Sequence, residues 1–143
     1  MSYLTIEYRG SIAADLAQGL GERIAGCDAC QEVCPFNASP SRPQRVPPHM
    51  WIDRLADGAR NVDLQAIAQL GSSSYRAFVR ETALTRIPRR QLRRNALFAL
   101  GNRSDSLTDS ERAVLERALE DSEPLVREAA SWAMKRRDFP APG

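Results

Sequence analysis

The sequence predicts a mainly α-helical chain in two parts, a short cysteine-bearing head and a longer helical tail, and three observations carry that expectation. Apolar residues recur at helical spacing on both sides of one proline-rich stretch. All three cysteines fall within eight positions, Cys27 to Cys34. Two tail segments repeat one residue pattern at an offset of 34, a period shown by stacked helical hairpins. With 143 residues, 43% of them hydrophobic and 27% charged, the chain can bury one core or two small ones. No stretch reaches the roughly 18 consecutive apolar residues of a membrane span, and the first residues lack the basic start and apolar run of a signal peptide. A cytoplasmic location, away from any membrane, is expected.

The head is residues 1–36. Tyr3 to Tyr8 is too short to assign, because its apolar spacing fits either a strand or one and a half helical turns. Ile12, Leu16, Leu20 and Ile24 recur every four residues, which places them on one stripe of a helix that enters the cysteine loop. Gly26 then releases the chain into that loop.

The loop reads Cys27-Asp28-Ala29-Cys30-Gln31-Glu32-Val33-Cys34-Pro35. An odd number of closely spaced cysteines argues against a secreted disulfide framework and for ligation or redox work. The spacing resembles the second half of a bacterial-type ferredoxin motif, in which the cysteine before proline ligates a different cluster from its sequence neighbours. On that reading Cys27 and Cys30 serve one iron–sulfur cluster and Cys34 another, so the head is a partial ferredoxin-like segment. Three thiolates cannot complete two sites, and the remaining ligands are expected outside the chain. Two alternatives stand beside it. Buried structural cysteines are common, though seldom as three in eight positions flanked by Asp28, Gln31 and Glu32. Zinc could take the three thiolates with His49, an accepted structural set, although fourteen residues separate His49 from Cys34 and it lies behind Pro47 and Pro48.

Residues 37–50 carry four prolines. Each removes a backbone donor and restricts its predecessor, so this stretch reads as a linker. The tail, 51–137, reads as consecutive short helices, followed by a terminal segment over 138–143. Asp63 can cap a helix whose inner face holds Leu64, Ile67 and Leu70, and the run Ser72 to Ser74 can start another containing Phe78 and Val79. Pro88 suits the first turn of a third helix, with Gly101 at its C-terminus. Thr108 and Glu111 form a capping-box pattern ahead of Val114, Leu115 and Leu119. A last helix starts near Ser122 and Pro124. The segment Leu92 to Leu100 aligns with Val126 to Met134, matching Arg, Ala, aromatic, Ala and long aliphatic in order. With Asp121 to Arg127 looking like the turn and second helix of a HEAT-type repeat, the tail is expected to be a HEAT-like repeat domain; the alternative is an irregular helical bundle.

The formal net charge is only +2, yet nineteen of the twenty basic residues are arginine. Eight lie between Arg76 and Arg103, against the single acid Glu81. Helical spacing puts Arg90, Arg93 and Arg94 on one face, a patch that could meet phosphate. It could equally be a solvated basic face or pair with the acid-rich stretch that follows. Trp51 and Trp132 could stack on bases, but their spacing suits packing better.

Three blocks together, Tyr3 to Gly10, Gly26 to Asn37 and Arg94 to Asn102, resemble the C-terminal half of the epoxyqueuosine reductase family, and the similarity runs from Ser2 to about Trp132. The resemblance implies an oxidoreductase that carries two [4Fe–4S] clusters and cobalamin and converts epoxyqueuosine to queuosine in the anticodon stem-loop of tRNA. It implies Cys27, Cys30 and Cys34 as metal ligands and Arg89, Arg90, Arg93 and Arg94 as tRNA contacts. The catalytic acid and the cobalamin are implied in an N-terminal domain that this chain lacks, together with the first cysteine group. The family also has a cysteine immediately before the block that starts at Tyr3, where this chain has Met1 and Ser2. The expectation is therefore an inactive C-terminal fragment, a monomer with no catalytic residue of its own, served in the parent enzyme by an external electron donor. A zinc-binding or helical-repeat adaptor without catalysis is the alternative function.

Overall fold

The computed structural model describes residues 1–37 and 63–138. Among these the helices are α1 Ser2–Ile6, α2 Ala14–Gly19, α3 Ala29–Glu32, α4 Leu64–Ala68, α5 Ser72–Val79, a 3-10 turn at Ala83–Arg86, α6 Arg89–Asn102, α7 Asp109–Leu119 and α8 Pro124–Asp138. No strand occurs among the described residues, so the mainly α expectation holds. The chain forms two compact units, one of Met1–Gly26 with Leu64–Gly143 and the other of Cys27–Asp63.

The centre of the first unit is α6. Every residue from Gln91 to Gly101 is buried, because α8, α4, α1 and α2 all pack against it. Its apolar side is ordinary core: Leu92, Ala96, Leu97 and Leu100 are fully buried beside Val126, Ala129 and Ala130 of α8. Phe98 meets Trp132 edge-on, with ring centroids 5.2 Å apart, in the geometry that the ring quadrupoles favour. These two aromatics are the pair matched at the offset of 34, so the two similar segments lie on helices that pack directly against each other.

The ends of the tail helices follow local chemistry. Pro88 is the N-cap of α6, where its missing N–H is not needed. The capping box at α7 is complete: the Thr108 hydroxyl accepts from the Glu111 N–H at 3.2 Å, and Glu111 accepts from the Thr108 N–H at 2.8 Å. Burial by itself would raise the Glu111 carboxyl. The Thr108 donors and Arg103, at 2.7 Å, outweigh it and hold the acid below the ordinary carboxylate range. Arg137 of α8 donates to the Arg103 and Asp105 carbonyls, tying the end of α8 to the turn after α6.

The structure settles or shifts four of the sequence expectations. Tyr3 to Tyr8, open between strand and helix, opens with α1. The four-residue stripe from Ile12 to Ile24 is not one helix: α2 ends at Gly19, and Gly21 turns the chain at φ 58°, a conformation easiest for glycine. Ala17 and Leu20 are buried while Leu16 is exposed. Gly101 stands one residue inside the C-terminus of α6, which ends at Asn102; a Cβ there would come within 2.9 Å of the Ala133 backbone and 2.8 Å of the Trp132 ring, so close packing of α8 favours glycine. Finally, residues 1–26 do not stand with the cysteine loop as a separate head; they pack into the core of the tail helices.

Candidate functional site

The second unit is described over residues 27–37 and at Asp63. Gly26, at φ 79°, precedes it. The one-turn helix α3 follows its N-cap Asp28 and ends at Glu32, with Val33 as C-cap. Asn37 closes the loop, its side-chain amide donating to the Gln31 carbonyl at 3.1 Å and to Gln31 Oε1 at 2.8 Å, while its backbone N–H donates to the Cys34 carbonyl at 2.9 Å. Cys30 is exposed and Cys27 and Cys34 are half-buried, all as free thiols. Beside them Val33 and Phe36 lie largely in the open.

In kind, this donor set fits an iron–sulfur cluster, since thiolates on a short loop are what such clusters take. In number it is incomplete. Among the described residues no group of three His, Cys, Asp or Glu side chains comes together to hold a metal ion. His49 and Trp51 lie outside the described residues.

The expected phosphate patch is corrected by the fold. Arg94 is 1% exposed, and all five of its N–H groups are used. Nη1 donates to the Tyr8 and Gly10 carbonyls at 3.0 and 2.8 Å, Nη2 to the Leu4 carbonyl at 2.8 Å, and Nε and Nη2 to Asn95 Oδ1 at 3.1 and 3.0 Å. Burial pushes its pKa down to about 10, which still leaves it charged at neutral pH. Arg93 is also buried, with Nε donating to the Ala68 carbonyl at 2.8 Å and the guanidinium paired with Asp121. Burial would raise the Asp121 carboxyl, but Arg93 and the Glu123 N–H prevail and hold it low. Both guanidiniums are thus engaged by groups within the fold. Arg89 is half-buried and donates to the Leu70 carbonyl at 3.1 Å. Of the four, only Arg90 is exposed. Trp132 is packed against Phe98, with the Arg136 guanidinium over its ring at 5.6 Å.

Much of the polar side of α6 therefore holds the protein's own backbone. Gln91 donates to the Tyr8 carbonyl at 2.6 Å; Asn95 donates to the Thr5 and Ile24 carbonyls, both at 2.8 Å; Asn102 donates to those of Ala17 and Gly21, both at 2.9 Å. A signal for this was present. Gln91, Arg94, Asn95 and Asn102 share one helical stripe, and side-chain amides at that spacing suit buried carbonyls better than phosphates.

Comparison with known proteins places the chain. It is 34% identical over 139 residues to the epoxyqueuosine reductase of Vibrio cholerae, covering 96% of this chain and 35% of the relative. That of Alicycliphilus denitrificans is 34% identical over 142 residues, with 94% and 37% covered, and that of Xanthomonas campestris 35% identical over 138 residues, with 94% and 36% covered. The chain is a homologue of part of epoxyqueuosine reductase. It spans about a third of the length of the epoxyqueuosine reductases it matches. No protein-family model and no solved structure matches it. Among the described residues no helix is long and apolar enough to cross a membrane.

Proposed function

We propose that this chain supplies the C-terminal part of an epoxyqueuosine reductase, with cluster ligands in the cysteine loop and a basic helical surface for tRNA. The observation that carries the reading is the similarity to enzymes of that name over 96% of the chain. Cys27 and Cys30 would bind one [4Fe–4S] cluster and Cys34 a second, each completed by ligands from outside the chain; such clusters, when bound, supply one-electron transfer towards the cobalamin of the parent. In this chain the loop residues hold the thiols, the closure by Asn37 sets the loop's length, and the helices of the tail, HEAT-like in their hairpin repetition, carry the RNA-facing surface.

Reconstitution tests the first half. Under anaerobic conditions with iron and sulfide, the chain is expected to take up at best one labile, substoichiometric cluster, read as iron per chain and visible absorption. Two complete four-iron clusters per chain would overturn the shared-ligand reading. One tightly held, colourless zinc per chain would favour the adaptor module instead.

The RNA surface lies at the N-terminal end of α6. Arg90 is exposed in its first turn, exposed Arg9 lies between two carbonyls held by Arg94, and Arg86, 70% exposed, contacts Glu7 at 2.5 Å. Each guanidinium that neutralises a phosphate contributes about −0.9 to the salt slope on a duplex and about −0.7 on a single strand. Replacing Arg9, Arg86 and Arg90 with glutamine is expected to weaken binding of an anticodon stem-loop and flatten its salt dependence by roughly two to three units, with the helical fold unchanged by circular dichroism. An unchanged slope would show an ordinary solvated surface.

A further inference from the structure

Glu7 puts a carboxylate on the basic surface of the helical unit. Its Oε1 accepts from Arg86 Nη2 at 2.5 Å, and the two side chains are 44% and 70% exposed. An exposed ion pair contributes little when both partners must be ordered to make it. Here the backbone of each partner is already fixed. Glu7 donates its N–H to the Tyr3 carbonyl at 2.9 Å and stands between two carbonyls held from α6: Asn95 donates to that of Thr5, and Gln91 and Arg94 donate to that of Tyr8. Arg86 closes the turn Ala83–Arg86, which Thr82 caps by accepting the Leu84 N–H at 3.3 Å. The next residue, Ile87, is buried, and its carbonyl accepts the Tyr75 hydroxyl at 2.9 Å. Carboxylate and guanidinium therefore meet at a place that the fold sets. Arg9 and Arg90, the other exposed guanidiniums of this surface, make no ion pair among the described residues.

We propose that Glu7 stands in for a phosphate on Arg86 and withholds that arginine from RNA, so that Arg9 and Arg90 carry the contact. The role towards RNA rests on the tRNA-binding reading above; the pairing itself does not. A carboxylate and a phosphate oxygen compete for the same guanidinium donors. A guanidinium that keeps its carboxylate neutralises no phosphate and adds nothing to the salt slope. With Arg86 withheld, the flattening expected above for the triple replacement falls at the lower end of its range.

Binding of an anticodon stem-loop by the full 143-residue chain, measured across a salt series, tests the proposal. Glu7→Gln keeps the shape and removes the charge. It is expected to tighten binding by about twofold to fivefold, the strength of one exposed ion pair, and to steepen the salt slope by about 0.7–0.9 as Arg86 takes up a phosphate. In an Arg86→Gln background most of both gains should vanish, and Arg86→Gln alone should weaken binding less than Arg90→Gln. Gains of equal size with and without Arg86 would show a general effect of charge and overturn the proposal, as would unchanged binding in Glu7→Gln. A second measurement needs no RNA. Phenylglyoxal modification of Arg86, resolved by peptide mass, is expected to speed by about the same twofold to fivefold in Glu7→Gln, with Arg90 nearly unchanged. Equal rates at Arg86 in the two proteins would overturn the pairing. A stem-loop that binds no variant, beside Arg86 labelling as described, overturns the tRNA reading and the role towards RNA and leaves the pairing standing.

Discussion

Replacing Arg94 with leucine is expected to remove a large share of the stability of the helical unit, about 3 kcal/mol or more. The side chain is 1% exposed and donates to the Leu4, Tyr8 and Gly10 carbonyls. Leucine fills part of the volume but leaves those acceptors without donors, and each buried orphan costs about 1–3 kcal/mol. Against a typical domain stability of about 5–15 kcal/mol, the loss should lower the melting temperature by more than about 10 °C. Arg94→Lys should recover little, because lysine carries three donors on one nitrogen and cannot span carbonyls that the planar guanidinium reaches on two sides. Urea and thermal unfolding measure both. A change within about 0.5 kcal/mol, as for an ordinary surface arginine, would contradict the buried placement and return Arg94 to the candidates for phosphate contact.

Gly101→Val is expected to be the second large effect, at about 3 kcal/mol, with Gly101→Ala losing about 1–3 kcal/mol. At an exposed helical position alanine would gain about 1 kcal/mol over glycine, so the sign of the alanine change is the decisive reading. Here the added Cβ would stand 2.9 Å from both the Ala133 Cα and Cβ and 2.8 Å from Trp132 Cζ3, and α6 and α8 would have to move apart. That separation would also disturb the edge-on contact of Phe98 and Trp132, so a change in tryptophan fluorescence should accompany it. A stabilised Gly101→Ala would show that the two helices are not in such close contact.

Much of the fold was legible because it depends on neighbours in sequence. Pro88, the pair Thr108 and Glu111, and Pro124 marked helix starts from local backbone chemistry alone. The match at an offset of 34 picked out the helices that pack together, and the three residue blocks pointed to the family that the comparisons then supplied. What the sequence could not decide by itself was which face of α6 meets which partner. Arginines at helical spacing look alike whether they face phosphate, carboxylate or carbonyl, since all three accept the same donors. The choice was made by residues 1–26, more than 60 positions away in the chain, whose bent path presents the carbonyls of Leu4, Tyr8 and Gly10 to Arg94. Likewise Gly101 marks the end of α6 to within one residue, but only the placing of Ala133 against it shows why a side chain does not fit there. Local chemistry sets where helices begin, whereas burial of a polar side chain depends on which distant backbone groups arrive to satisfy it, and only the tertiary structure brings them there.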